Sequence, residues 1–279
     1  MNPTGRQRRS RSGLVLASSL LVAIASGCGR PAPTPETAPE PNEDVVRAPA
    51  APLAAVALPT EPAASEEPSA CPGGMVLVEG MYCPEVRQTC KRWMDPPGRY
   101  HEFRCAEYAE PRCLAPKKKM RFCIDRDEYA APGENLPANF QSFNNASRKC
   151  EEQGKRICME SEWVFACEGE EMRPYPYGFK RDASACNADR TDILTDDGKL
   201  RDLRAAPDEH PRCESPFGVR HQAGNLEEFV AIDGSSPVRP AMKGAYWQPS
   251  RNFCRAAQTA HDAHYNGMET GFRCCAEAE

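Results

Sequence analysis

Residues 142–178 read SFNNASRKCEEQGKRICMESEWVFACEGEEMRPYPYG and carry two closely spaced amphipathic segments. Ser142 suits a helix N-cap, where a short side-chain oxygen satisfies a free N–H of the first turn, and Phe143, Ala146 and Cys150 recur behind it at helical spacing. Gly154 stands where a chain leaving a helix turns through positive φ, so the first helix is expected to stop there. Trp163, Ala166 and Cys167 predict a second short helix, closed by Gly169. Cys150 and Cys167 therefore fall on the inner faces of consecutive helices, each placed to tie its helix to something distant.

The chain has 279 residues, 40% hydrophobic and 27% charged, with a formal net charge of -5. That length suits one globular domain plus non-globular sequence, since a domain of ~200 residues buries a substantial core. No basic cluster lies on either helix, which argues against nucleic acid as a partner. Lys117, Lys118 and Lys119 form a run too short to change this and are read as a solvated loop.

Residues 1–28 read as an export signal rather than as structure. Arg6, Arg8, Arg9 and Arg11 precede an apolar run from Gly13 to Ala25, shorter than the ~20 residues a spanning helix needs. Ala25-Ser26-Gly27-Cys28 closes that run as a bacterial lipobox would, making Cys28 the lipidated residue of a protein anchored in the cell envelope. Residues 29–70 hold ten prolines among Ala and Glu and cannot bury enough apolar surface to offset ordering. They are expected to form an extended tether between the membrane and a domain spanning 71–279.

Other blocks follow the two helices in order. Lys155-Arg156-Ile157-Cys158-Met159-Glu160-Ser161-Glu162-Trp163 precedes Tyr175-Pro176-Tyr177-Gly178. Phe217-Gly218 precedes Ala223-Gly224-Asn225-Leu226-Glu227-Glu228-Phe229, and Lys243-Gly244-Ala245-Tyr246 precedes Gly271-Phe272-Arg273-Cys274. Each block alone is short, but in this order they resemble the formylglycine-generating enzyme (sulfatase-modifying factor) domain family. The matching family blocks are Arg-Leu-Pro-Thr-Glu-x-Glu-Trp, Tyr-Pro-Trp-Gly, Gly-Asn-Val-Trp-Glu-Trp, Arg-Gly-Gly-Ser and Gly-Phe-Arg-Cys. The resemblance runs from Gly74 to Cys275, interrupted by a cysteine-containing insertion over 84–120. It implies an irregular α+β fold related to C-type lectins, with two helices, short antiparallel sheets, long loops and several disulfides. Two strands fit that scheme from their own pattern: Gly74 to Gly80, and Phe122 to Asp125.

Fifteen cysteines less Cys28 leave fourteen, an even number that in an exported domain reads as a disulfide framework. Zinc is the competing reading, but no Cys-x-x-Cys occurs and the five histidines are scattered. The residues alone leave the connectivity open. The resemblance implies two bonds, Cys150 with Cys274 and Cys167 with Cys254.

The resemblance also implies structural calcium. Asn225 and Glu228 match family residues that give side-chain oxygens to one ion, with the Leu226 carbonyl beside them. Asn187, the Ala188 carbonyl, Glu128 and an aspartate near Asp202 would serve a second. Such an ion takes six to eight oxygens, which suits these residue types.

Copper is not expected. Family enzymes convert a sulfatase cysteine to formylglycine with oxygen, holding copper(I) on two cysteines after Gly-Gly-Ser, and thiolates are the ligands that ion requires. Here Ala245 replaces the serine and the segment to Phe253 holds no thiol; Cys254 matches the family's structural cysteine. His221, His261 and His264 have no Ser or Cys partner in the sequence and are read as exposed or structural. The expectation is a non-catalytic binding or scaffold domain, the alternative being an active formylglycine-generating oxidase. Tyr246, Trp247, Tyr265 and Asn266 would line the face that takes a protein or small ligand; a purely core role for Tyr246 and Trp247 is the bland reading.

Overall fold

The computed structural model describes residues 70–279. The export signal, Cys28 and all of the expected tether except Ala70 lie outside these residues. The elements in order are β1 (Met75–Tyr82), β2 (Val86–Arg87), β3 (Cys90–Trp93), β4 (Cys105–Tyr108), β5 (Arg112–Cys113), β6 (Lys118–Asp125), α1 (Phe143–Glu151), β7 (Arg156–Ile157), α2 (Glu160–Glu168), β8 (Glu227–Ala231), β9 (Pro240–Lys243), β10 (Ala257–Gln258), β11 (Thr270–Gly271) and β12 (Cys274–Glu277).

Both helices form where the sequence places them. The Ser142 hydroxyl accepts from the Asn145 N–H at 3.2 Å, and Phe143, Ala146 and Cys150 are the buried positions of α1. Gly154 takes φ 70° just beyond its end. At the start of α2 the Glu162 carboxylate accepts from the Met159 N–H at 2.8 Å, reaching back as a cap does. From Glu162 to Glu168 every α2 residue is buried, so this helix is covered on all sides rather than lying on the surface.

Two four-stranded sheets flank the helices, in the orders β1-β6-β12-β7 and β10-β9-β8-β11. The first is antiparallel, with β1 and β6 in register from Met75 opposite Asp125 to Tyr82 opposite Lys118. The lysine run is corrected here: Lys118 and Lys119 open β6, where their exposed side chains are carried by a strand that pairs with β1. The insertion therefore ends before residue 118, earlier than expected. In the second sheet β8 and β9 are antiparallel, and β11 lies parallel to β8 over Thr270 and Gly271, opposite Glu227 and Glu228.

Trp163, Phe165 and Cys167 of α2 pack with Val78, Phe122, Ile124, Val230 and Ala241 from the two sheets. A second apolar cluster joins Phe143 and Ala146 of α1 to Phe229, Met242 and Phe272.

Seven disulfides bind the frame. Cys150 is bonded to Cys274, Cys158 to Cys275 and Cys167 to Cys254, so both helices and β7 are fastened to the C-terminal segment. Cys71–Cys123 closes the start of the domain, and Cys186–Cys213 closes the long loop after α2. The insertion folds into two small ladders, β2 with β5 and β3 with β4, held by Cys83–Cys113 and Cys90–Cys105. Long loops of low apolar content gain stability chiefly from such cross-links.

Candidate functional site

A polar cleft of about 310 Å³ opens beside β8 and β9. Glu227 of β8 forms its floor, Tyr246 and Arg251 come from the loop after β9, and His261, Tyr265 and Glu269 come from the loop before β11. Phe103 of the insertion supplies one wall. The parallel pairing of β11 with β8 brings the two acids together: the Glu227 N–H donates to the Glu269 carbonyl at 2.8 Å.

The Tyr265 hydroxyl donates to Glu269 Oε1 at 2.5 Å, and the Tyr265 ring stacks on His261 at 3.6 Å between centroids. The Glu227 carboxylate has no hydrogen bond or ion pair among the described residues. Burial first, and the charge of Glu269 second, push its carboxyl up to about 7, with Arg251 pulling the other way. The Tyr246 phenol is pushed up to about 12 by burial and by the same two acids.

Of the expected ligand face, Tyr246 and Tyr265 line this cleft, whereas Asn266 does not and donates to the His264 carbonyl at 3.1 Å. Trp247 is corrected: it is fully buried, and Tyr246 is the ring of the pair that lines the cleft. Asn252 steadies this loop, its amide donating to the Tyr246 carbonyl at 3.0 Å and its oxygen accepting from Arg181 at 2.9 Å. Glu227, Glu269, His261 and Phe103 were not foreseen. The Leu226-Glu227-Glu228-Phe229 pattern held one signal: adjacent acids on a strand face opposite ways, so they cannot share one environment.

The residues expected to hold two calcium ions gather differently. Asn225, at φ 59°, places its side chain against Glu128, its amide donating to that carboxylate, while the Leu226 N–H donates to the other Glu128 oxygen at 3.0 Å. The Asn187 amide donates to Asn225 Oδ1 at 2.9 Å and to the Leu203 carbonyl at 2.7 Å. This approach depends on Gly224, where a Cβ would stand 2.2 Å from the Asn187 carbonyl oxygen. Asn187, Asn225, Leu226 and Glu128 thus form one cluster, adjoined by Ala188. Asp202 pairs instead with Arg204 at 2.7 Å.

Glu228 is committed elsewhere. Both its oxygens accept from Arg273 at 2.7 Å, and one also accepts from Trp163 Nε1 at 2.8 Å. The fit to a cation is therefore divided. Glu128 is a buried carboxylate with no cation in direct contact, and Asn187 Oδ1 is buried without a hydrogen-bond partner; both suit a hard ion. Burial and the neighbouring charge of Glu228 push Glu128 up to about 8, so its ionised form lacks a countercharge of its own. Glu228 already has one and does not fit a ligand set.

His221 donates through Nε2–H to the Glu209 carbonyl, 2.9 Å away, and burial holds its pKa down to about 4. It is a core residue.

Residues 88–278 match the model of the Sulfatase-modifying factor enzyme 1-like domain. Among solved structures, PvdO from Pseudomonas aeruginosa is 15% identical, with 73% of this chain and 94% of that one covered and a TM-score of 0.48. CarF is 12% identical, with 74% and 98% covered and a TM-score of 0.44. Treponema denticola variable protein 1 is 12% identical, with 72% and 99% covered and a TM-score of 0.42. No curated protein matches.

Proposed function

Because the chain belongs to the sulfatase-modifying factor enzyme 1-like family, we propose that it is a non-catalytic ligand-binding module of that family. Its binding face is the cleft between Glu227, Tyr246, Tyr265 and Glu269, and it is exported and anchored to the membrane through Cys28. The observation that supports this reading is the state of the thiols. Cys254 is bonded to Cys167, and every other cysteine of the described residues is also in a disulfide. A family oxidase needs two thiolates for copper(I).

Titration of the unreduced protein with copper(I) tests this. The expected result is no tight stoichiometric binding and no conversion of a cysteine peptide to its aldehyde. Tight binding together with peptide oxidation restores the oxidase reading.

We further infer one structural calcium ion beside Glu128 and Asn187, in place of the two ions that the resemblance implies. Glu128 would give its carboxylate and Asn187 its unpartnered oxygen, with the Asn225 side chain and the carbonyls of Ala188 and Leu226 adjoining. The ion would supply the positive charge that Glu128 lacks. Glu128 also borders a surface hollow of about 320 Å³ shared with Asp125 and Asp127, in which Lys155 pairs with Asp125 at 2.6 Å.

A further inference from the structure

We propose that the cleft binds a primary ammonium group, presented as a lysine side chain or as a small free amine, between the carboxylates of Glu227 and Glu269. This deepens the binding-module reading and rests on it. Three observations carry the proposal together.

The first is the unmatched anion. The Glu227 carboxylate lies on the floor of the cleft with no hydrogen bond or ion pair among the described residues, and the Glu269 carboxylate accepts among them only from the Tyr265 hydroxyl. Arg251, the one basic side chain lining the cleft besides His261, pairs with neither acid. It stays exposed, its guanidinium 5.3 Å from the centre of the Phe103 ring. A partly buried carboxylate beside another carboxylate is costly in its charged form, and an ammonium removes that cost by giving N–H donors and positive charge to both acids.

The second observation is the wall. The rings of Phe103, Tyr246 and Tyr265 line the cleft together with the acids and give apolar surface to cover the alkyl stem behind the ammonium. Third comes size. At about 310 Å³ the cleft is at the small end of the ~300–1,000 Å³ range of ligand sites, the scale of a side chain rather than of a nucleotide or flavin.

Calorimetry on the intact protein would compare Nα-acetyl-lysine-amide, butylamine and the neutral isostere Nα-acetyl-norleucine-amide under one buffer condition. The lysine and butylamine arms are expected to bind and the norleucine arm is not. Loss of about tenfold or more in lysine affinity is expected in Glu227→Gln and in Glu269→Gln, from the charge-assisted bonds removed. A lysine arm tighter than butylamine assigns the amine to a protein or peptide partner, and equal arms assign it to a small metabolite; both support the proposal.

Equal binding of the norleucine isostere overturns it, as does failure of every amine to bind. If the variants do not fold, the wild-type contrast between lysine and norleucine decides alone. Copper(I) uptake alongside intact amine binding would overturn the non-catalytic reading and leave the ammonium site standing.

Discussion

The guanidinium of Arg273 meets the carboxylate of Glu228 through two 2.7 Å hydrogen bonds, and neither side chain reaches solvent. The remaining Arg273 donors go to the carbonyls of Asp125, Arg126 and Arg220, so the residue ties β8, the end of β6 and the long loop together. Such a pair is costly to break because the survivor is left charged and unmatched. Glu228→Gln should therefore lower unfolding free energy by ~3–5 kcal/mol, read from urea midpoints at constant slope. A loss below ~1 kcal/mol would mean that the pair is incidental to the fold.

Cys254 carries the distinction between a structural bond and a metal thiolate. In the folded, unreduced protein it should resist alkylation, and peptide mapping should recover it joined to Cys167. Cys254→Ser should free a thiol at Cys167 and cost ~2–5 kcal/mol, as loss of a native disulfide from an exported domain does. Rapid labelling of Cys254 near neutral pH in the native protein would sink the non-catalytic reading.

Glu128 makes the calcium inference measurable through pH. Its folded-state carboxyl is raised to about 8, above the ~4.3 of an exposed glutamate. Its contribution to stability is thus complete below ~4.3 and is lost as pH climbs through 8. In chelator, Glu128→Gln should gain on the wild type over that window, and subtracting the two curves removes the contributions of other groups. Added calcium should raise the wild-type melting temperature at pH 8 and leave the variant unmoved. Identical wild-type melts with chelator and with calcium would remove the ion from the account.

Both helices, the first strand and the inner-facing cysteines were legible because each depends on local chemistry: a cap at Ser142, a turn at Gly154, apolar spacing at Trp163, Ala166 and Cys167. The cleft was not. Its acids, Glu227 on β8 and Glu269 in the loop just before β11, become neighbours only through the two-residue parallel pairing of β11 with β8, and nothing in either segment announces a partner. Trp247 shows the same limit from the other side. An aromatic pair offers no local sign of which ring turns outward, and the choice is made by the loop that Asn252 holds. Glu228 was read as a metal ligand from the family resemblance, and its counter-ion, Arg273, is too remote in sequence to argue locally against that reading.

Cys28, outside the described residues, answers to a fractionation experiment. Cys28→Ala should leave the product unlipidated and release it from membranes into the soluble envelope fraction. A variant that still sediments with membranes would show that the anchor is something else.

Adjacent cysteines on β12 have a consequence for how the disulfides sort. Cys274 and Cys275 are bonded to Cys150 and Cys158, 124 and 117 residues away. As neighbours they stand one residue from exchanging partners, and nothing in their local sequence tells them apart. The pleat does: successive side chains leave a strand on opposite faces, so Cys274 packs with the α1 cluster and Cys275 with the α2 cluster. A slip of one residue in β12 would turn each cysteine toward the other's mate, so the register of one short strand sorts two long-range bonds.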